Sequence, residues 1–394
     1  MEILNSLVWP RGFYGDGLHA KLSRYSDKFD LGWIVSDCVA DAAGVFTLNK
    51  FPAAPVKLTK KTIHKTQKLQ ALVVNSTNAN SFTGQEGYDN ALSEQKIIAK
   101  KLELDKDLVA VSSTGIIGEQ LPMKKMFFGI EKLRKCKNNH IAQAIMTTDT
   151  KQKVASLKFG QNQMLTGVAK GSGMIHPNMG TMLSFICTDA KIDGRLLQKL
   201  LCELTELTFN QITIDGDTST NDMLIVMANG ASGQPEILAN SKEYDLFKRA
   251  LHLLMKNLAI KIASDGEGAS KLVTANVCGA ENNLDARMIA KKIVGSNLVK
   301  AAAFGEDPNW GRVIDAIGNA EVDLEAYKIS LTINSIPVIY KGQVILNDPS
   351  FLQDAVKDKR LVFDVSVGNG SGKGQAWGSD LTYDYVKINA MYRT

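Results

Sequence analysis

Apolar residues in the first half of the chain come in short bursts that end in polar turns. Leu72-Val-Val and Leu108-Val-Ala-Val-Ser-Ser have strand length, and they run into Asn75-Ser-Thr-Asn-Ala-Asn80 and Thr114-Gly115 respectively. Leu92 to Leu102 and Met126 to Leu133 repeat at helical spacing instead. Lys158 to Gln163 is a polar break before another strand, Leu165-Thr-Gly-Val-Ala-Lys170. The clearest helix runs from about Glu243 to Ala263: Phe247, Leu251, Leu254 and Leu258 form one apolar stripe, and Lys248, His252 and Lys256 a basic one facing solvent. After Gly279 come a short helix, Leu284 to Ile293, and alternating strands such as Lys328-Ile-Ser-Leu-Thr-Ile333. The last segment, Thr382 to Asn389, alternates like a half-buried strand. The pattern predicts a mixed α/β protein with a second domain over roughly 280–365.

Composition narrows the class. A chain of 394 residues should hold two or three domains. Its 46 Lys and Arg against 41 Asp and Glu leave a net charge of +5, spread too evenly to suggest a nucleic-acid partner. Cys38, Cys136, Cys187, Cys202 and Cys278 are odd in number and contain no C-x-x-C pair, so they read as reduced thiols. No secretory signal opens the chain, and no apolar run approaches the roughly 20 residues that span a bilayer. The expectation is a cytoplasmic enzyme or binding protein without membrane contact.

The common catalytic signatures are missing. Gly171-Ser-Gly173 begins a dinucleotide fingerprint but lacks its third glycine, and Gly368 to Gly374 has the wrong spacing for a phosphate loop. His19, His64, His140, His176 and His252 form no metal-ligand spacing. Ser93-Glu-Gln-Lys96 matches S-x-x-K but reads as a solvated helix face. No G-x-S-x-G occurs.

One stretch carries chemistry: Lys170-Gly-Ser-Gly-Met-Ile-His-Pro-Asn-Met-Gly-Thr-Met-Leu-Ser-Phe-Ile-Cys-Thr-Asp-Ala190. A threonine opening an apolar strand ordinarily serves β-propensity. A sharper reading starts from Gly180, which frees the backbone so that the Thr181 hydroxyl can reach the carbonyl before it. An N-to-O acyl shift followed by hydrolysis would release a chain beginning at Thr181. Its free amine, with an ordinary pKa of about 7.7–8.0, would then serve as base to its own hydroxyl.

This stretch closely resembles the autocleavage motif of the ornithine acetyltransferase family, the bifunctional glutamate N-acetyltransferases of arginine biosynthesis, whose chains carry K-G-S-G-M-I-x-P-N-M-A-T-M-L. Asn75 to Asn80, Ser113 to Gly118, Asp215 to Asp222, Asp265 to Lys271, Gly305 to Arg312 and Asp380 to Ala390 resemble further blocks of that family, in the same order and over nearly the whole chain. The resemblance implies a self-processing, N-terminal-nucleophile-like layered αββα core with a smaller α/β domain. Residues 1–180 would form an α chain and 181–394 a β chain. In the latter, 181–279 would complete the core, 280–365 would form the smaller domain, and 366–394 would return to the active site as a strand.

The resemblance further implies Thr181 as nucleophile, Thr114 and Gly115 as the oxyanion pair, and Thr148, Lys170, Thr181, Glu267, Asn389 and Thr394 as substrate contacts. Lys170 would pair with the α-carboxylate and Glu267 with an ammonium. The implied reaction moves an acetyl group from N2-acetyl-L-ornithine to L-glutamate, with no metal and no cofactor. Acetyl-CoA enters as a second acetyl donor where the enzyme is bifunctional, and an α2β2 heterotetramer is the implied assembly. The other chemistry open to the same machinery is an N-terminal-nucleophile amidase or aminopeptidase, with water as acceptor. Two positions depart from the family pattern: Gly180 stands where Ala is common, and His176 replaces a frequent Ala before Pro177.

Overall fold

The computed structural model describes residues 1–22, 27–176, 182–346 and 348–391. Gly180, Thr181 and Thr394 lie outside the described residues. Two sheets organise the chain. The larger contains β1 (Ile3–Leu4), β2 (Phe13–Leu18), β3 (Leu31–Phe46), β4 (Lys68–Asn75), β5 (Val109–Ser113), β6 (Lys153–Phe159), β7 (Gln163–Lys170), β8 (Leu183–Thr188) and β10 (Met223–Ala228). Its order is β1-β6-β7-β8-β10-β3-β4-β5, with β2 also paired to β3. The smaller sheet has the order β14 (Gln343–Val344), β13 (Ile336–Tyr340), β12 (Ser330–Ile333), β15 (Arg360–Ser366), β11 (Leu272–Ala280), β16 (Gly372–Ser379) and β9 (Ile212–Thr213).

Side chains on the large sheet sort onto two faces with the strand period. Leu224, Val226 and Ala228 of β10 enter a core with Leu197 and Leu201 of α5 (Gly194–Leu207) and with Phe247, Leu254 and Leu258 of α6 (Lys242–Ser264). Met223, Ile225 and Met227 enter a different core with Ile34, Leu72, Val74 and Ala110 from the other half of the sheet. The outward face of that half, with Trp33, Val73 and Val111, lies under α2 (Gly84–Leu102) and α3 (Met123–Lys132). From one outside to the other the layers are helices, half-sheet, half-sheet, helices: the αββα arrangement. The bend falls within β3, whose pairing with β4 shifts between Val35 and Ala40. At the open edge of β5, α1 (Ala54–Thr66) is fastened by Thr59, whose hydroxyl accepts from the Val111 N–H (2.9 Å) and donates to the Val111 carbonyl (2.7 Å).

The helix expected at 243–263 is α6. Its buried positions, among them Phe247, Leu251, Leu254, Leu258 and Ile262, repeat at helical spacing, and Ser241 caps its first turn by accepting from Tyr244 N–H. Each large side chain so buried contributes about 1.5–3 kcal/mol. Trp377 of β16 sits in the same core, so α6 joins the two sheets. His252, placed at the surface by the sequence pattern, is half-buried.

Two expectations are corrected. Thr382 to Asn389 is not a strand: α11 spans Tyr383–Met391, opened by the Thr382 hydroxyl accepting from Tyr385 N–H at 3.2 Å. It buries no residue, so its sequence alternation records no burial face. Nor is Ser93 to Lys96 a solvated face, because Glu94 and Gln95 are buried within α2.

Candidate active site

The site begins with a forbidden conformation. Gly115 follows the end of β5 with φ of +132°, and a Cβ there would lie 2.1 Å from the Thr77 carbonyl carbon. Only glycine permits this approach, which locks Thr114-Gly115 against the Asn75–Asn80 turn. Thr114 N–H donates to Asn75 C=O (3.0 Å) and Ile116 N–H to Thr77 C=O (3.1 Å). Asn221 binds both strand ends together, its Nδ2 donating to Ala79 C=O (2.6 Å) and Ser113 C=O (2.8 Å).

Thr114 and Gly115 open onto a cavity of about 150 Å³. Thr148, Lys170, Glu267 and Asn389 line the same cavity. Six candidate residues, distributed from 114 to 389 in sequence, thus meet at one place. Thr181 is outside the described residues, but the flanking Ile175 and Met182 both line the cavity. Lys170 lies at the end of β7, and its Nζ donates to Thr147 Oγ1 at 3.1 Å. Burial lowers its ammonium below the ordinary lysine value, against the opposite pull of Asp149, Asp222 and Glu267. Glu267 faces it from the loop after α6; its N–H donates to Ser172 C=O (2.9 Å), and its Oε2 accepts from Asn389 Nδ2 (2.7 Å). Gly173 makes room for this carboxylate, since a Cβ there would lie 2.4 Å from it.

Behind the cavity lies a buried charge cluster. Lys153 Nζ contacts Asp149 Oδ1 at 2.5 Å and Asp265 Oδ2 at 2.6 Å. Asp149 also accepts from Gly171 N–H (2.8 Å) and Thr147 N–H (3.1 Å), which anchors both cavity-lining loops. Burial pushes the Asp149 carboxyl up, but Lys153, Lys170 and the Gly171 N–H together hold it below the ordinary carboxylate value. Asp265 holds the neighbouring turn through Thr150 N–H at 3.1 Å, and its carbonyl accepts from Ser172 Oγ at 2.7 Å.

Met174 and Ile175 N–H groups donate to the Asp215 carboxylate, and His176 Nδ1 lies 2.9 Å from Thr213 Oγ1. Burial, reinforced by Lys291, lowers the His176 imidazole to about 4.

Sequence reasoning missed Thr147, Asn221 and Asp222. All three line the cavity, and Asp222 is buried. Its place within the Asp215 to Asp222 block was the only available signal. The described residues contain no group of three or more His, Cys, Asp or Glu arranged to hold a metal ion, and none of their helices is long and apolar enough to cross a membrane.

A family model described as the ArgJ family matches residues 15–394. The chain belongs to the ArgJ family. It is 49% identical to the arginine biosynthesis bifunctional protein ArgJ of Lactiplantibacillus plantarum, over 98% of this chain and 96% of that protein. It is 50% identical to the protein of the same name from Lactococcus lactis subsp. lactis, over 99% of each. Among solved structures, the arginine biosynthesis bifunctional protein ArgJ of Bacillus halodurans matches with a TM-score of 0.52 and 44% identity, covering 53% of this chain and 98% of that one. The matched residues take in the entire cavity wall and both sheets except β1 and the start of β2.

Proposed function

We propose that the chain is an acetyltransferase of arginine biosynthesis that moves the acetyl group of N2-acetyl-L-ornithine to L-glutamate through an acetyl ester on Thr181. The observation that carries this reading is the convergence of Thr114, Gly115, Thr148, Lys170, Glu267 and Asn389 on one cavity beside residue 182. Neither the Thr114 hydroxyl nor the Gly115 N–H is taken up by a hydrogen bond among the described residues, which leaves both for a developing oxyanion. Lys170 supplies a cation for the substrate carboxylate, and Glu267 with Asp222 an acidic wall for the ornithine side-chain ammonium.

Thr181 Oγ, deprotonated by its own α-amine, attacks the acetyl carbonyl, and ornithine leaves with the proton. The amine of glutamate then attacks the ester and regenerates the hydroxyl. The free α-amine requires prior cleavage between Gly180 and Thr181. The Bacillus halodurans chain, matched over 98% of its length by 53% of this one, has the size expected for one product of such a cut. No cofactor is required, since acetyl-CoA would enter only as a substrate. Two chains from one precursor, assembled as a cytoplasmic α2β2 tetramer, complete the proposal.

Mass spectrometry of the purified protein tests it directly. Two chains meeting at Gly180 and Thr181 are expected, and Thr181→Ala should give one intact, inactive chain. An uncut chain of full activity would refute the mechanism.

A further inference from the structure

Beside the catalytic cavity lies a wider groove of about 700 Å³ that the mechanism above does not use. Two of its residues are conspicuous: Phe51 and Phe82 are 64% and 77% exposed, with ring centroids 6.0 Å apart at 76°. Isolated exposed aromatics are ordinary, but two exposed rings set edge to face along a groove offer ring surface on which a planar group can stack. Lys50 and Lys57 flank it, neither in an ion pair among the described residues, and no carboxylate lines the groove. It therefore presents flat aromatic surface beside uncompensated positive charge.

The groove and the cavity have no lining residue in common, but their walls are hydrogen-bonded to each other. The segment from Thr47 to Ala53, which carries the groove-lining Lys50, Phe51 and Pro52, is joined to the cavity-lining Ser219–Asp222 segment. Thr47 Oγ1 donates to Ser219 C=O (2.7 Å), Ala53 N–H to Thr220 C=O (2.9 Å), and Thr47 N–H to Asp222 C=O (3.1 Å). On the other side Ser81, which precedes Phe82, donates to Thr220 Oγ1 at 2.9 Å. A ligand held over the two rings thus ends one segment away from the acyl site.

We propose that this groove binds the phosphoadenosine end of acetyl-CoA, with adenine against Phe51 and Phe82 and the phosphates beside Lys50 and Lys57. The inference rests on the acetyltransferase reading above. The thioester then reaches the cavity across the joined 47–53 and 219–222 segments. Thr181 Oγ forms a bond to the acetyl carbon as the C–S bond breaks, and the hydroxyl proton passes through the α-amine to the departing sulfur, which leaves as coenzyme A thiol. Glutamate takes the acetyl group as before, so acetyl-CoA and glutamate give N-acetylglutamate and coenzyme A. Acetylornithine has no nucleotide and does not touch the groove.

The test compares both donors on the mature enzyme, with glutamate as acceptor. Phe51→Ala/Phe82→Ala and Lys50→Glu/Lys57→Glu should each raise KM for acetyl-CoA at least tenfold. Their kcat/KM for acetylornithine should stay within twofold of wild type, which also reports intact folding. Adenosine 3′,5′-bisphosphate should compete with acetyl-CoA in the wild type and lose that effect in both variants. Unchanged acetyl-CoA kinetics in the two variants would overturn the proposal, as would equal losses with both donors. A wild type that transfers from acetylornithine but neither uses acetyl-CoA nor binds coenzyme A overturns the groove assignment and leaves the function standing. Absence of both transfers overturns both.

Discussion

Asn389 Nδ2 donates to Glu267 Oε2 at 2.7 Å, which ties the last helix of the chain to the acidic wall of the cavity. A hydrogen bond to a charged group is worth about 1.5–3 kcal/mol. Asn389→Ala should therefore lower kcat/KM for acetylornithine roughly tenfold or more, and Asn389→Asp should lower it further by setting two carboxylates together. Steady-state kinetics with both variants measure the effect.

The proposed oxyanion pair, Thr114 and Gly115, should separate binding from chemistry. Thr114→Ala should reduce kcat by roughly 10²–10³ with little change in KM, whereas Thr114→Ser keeps the hydroxyl and most of the rate. Gly115→Ala should be at least as damaging, because its Cβ would meet the Thr77 backbone at 2.1 Å. Its loss should appear in unfolding midpoint as well as in kcat.

Lys153 is 1% exposed between two carboxylates, so removing it strands both charges. Lys153→Met should cost about 3–5 kcal/mol. Lys68→Met, which breaks the more exposed pair with Asp41, should cost no more than about 1 kcal/mol. Urea unfolding of the two variants checks the contrast.

Glu94 is fully buried, neither carboxyl oxygen has a hydrogen-bond partner among the described residues, and burial raises its pKa to about 8. The folded state therefore holds a proton that the unfolded chain releases near the ordinary value of 4.5. Stability should fall as pH rises from about 4.5 to about 8. Glu94→Gln should remove that slope: little change in thermal midpoint at pH 4, and a clear gain at pH 8.

The histidine beside the proposed cleavage segment points the other way. With a pKa of about 4, His176 is neutral throughout the range from pH 5 to 8. His176→Asn should leave the pH profile of precursor processing unchanged over that interval. An inflection near 6.5 that disappears in the variant would contradict this placement.

Much of the fold was legible because burial imposes a period. Phe247, Leu251, Leu254 and Leu258 announce α6, and the runs at 72–74 and 108–113 announce β4 and β5. Alternation failed at 382–389, where no residue of the helix itself is buried and the threonine cap before it decides the conformation. Composition failed at Glu94, since a charged residue in a polar run gives no sign that tertiary packing will enclose it. Within the site, the resemblance supplied residue identities, but Thr147 and Asp222 become visible only when the chain is folded. Thr147 and Thr148 both line the cavity, so no single sequence spacing distinguishes a contributor from its neighbour.

The order of strands in the large sheet bears on what a cut between residues 180 and 181 would leave. β8 and β10 follow the cut, yet they sit between β7 and β3, which precede it. Lys170 pairs with Leu183 across one seam and Ala43 with Val226 across the other. The second product would thus be threaded through the middle of the first, hydrogen-bonded along both sides. Such halves cannot part by rigid separation, as subunits do. They would come apart only when the sheet itself unravels, so the proposed cleavage would change the covalent count of the molecule and leave it a single cooperative body.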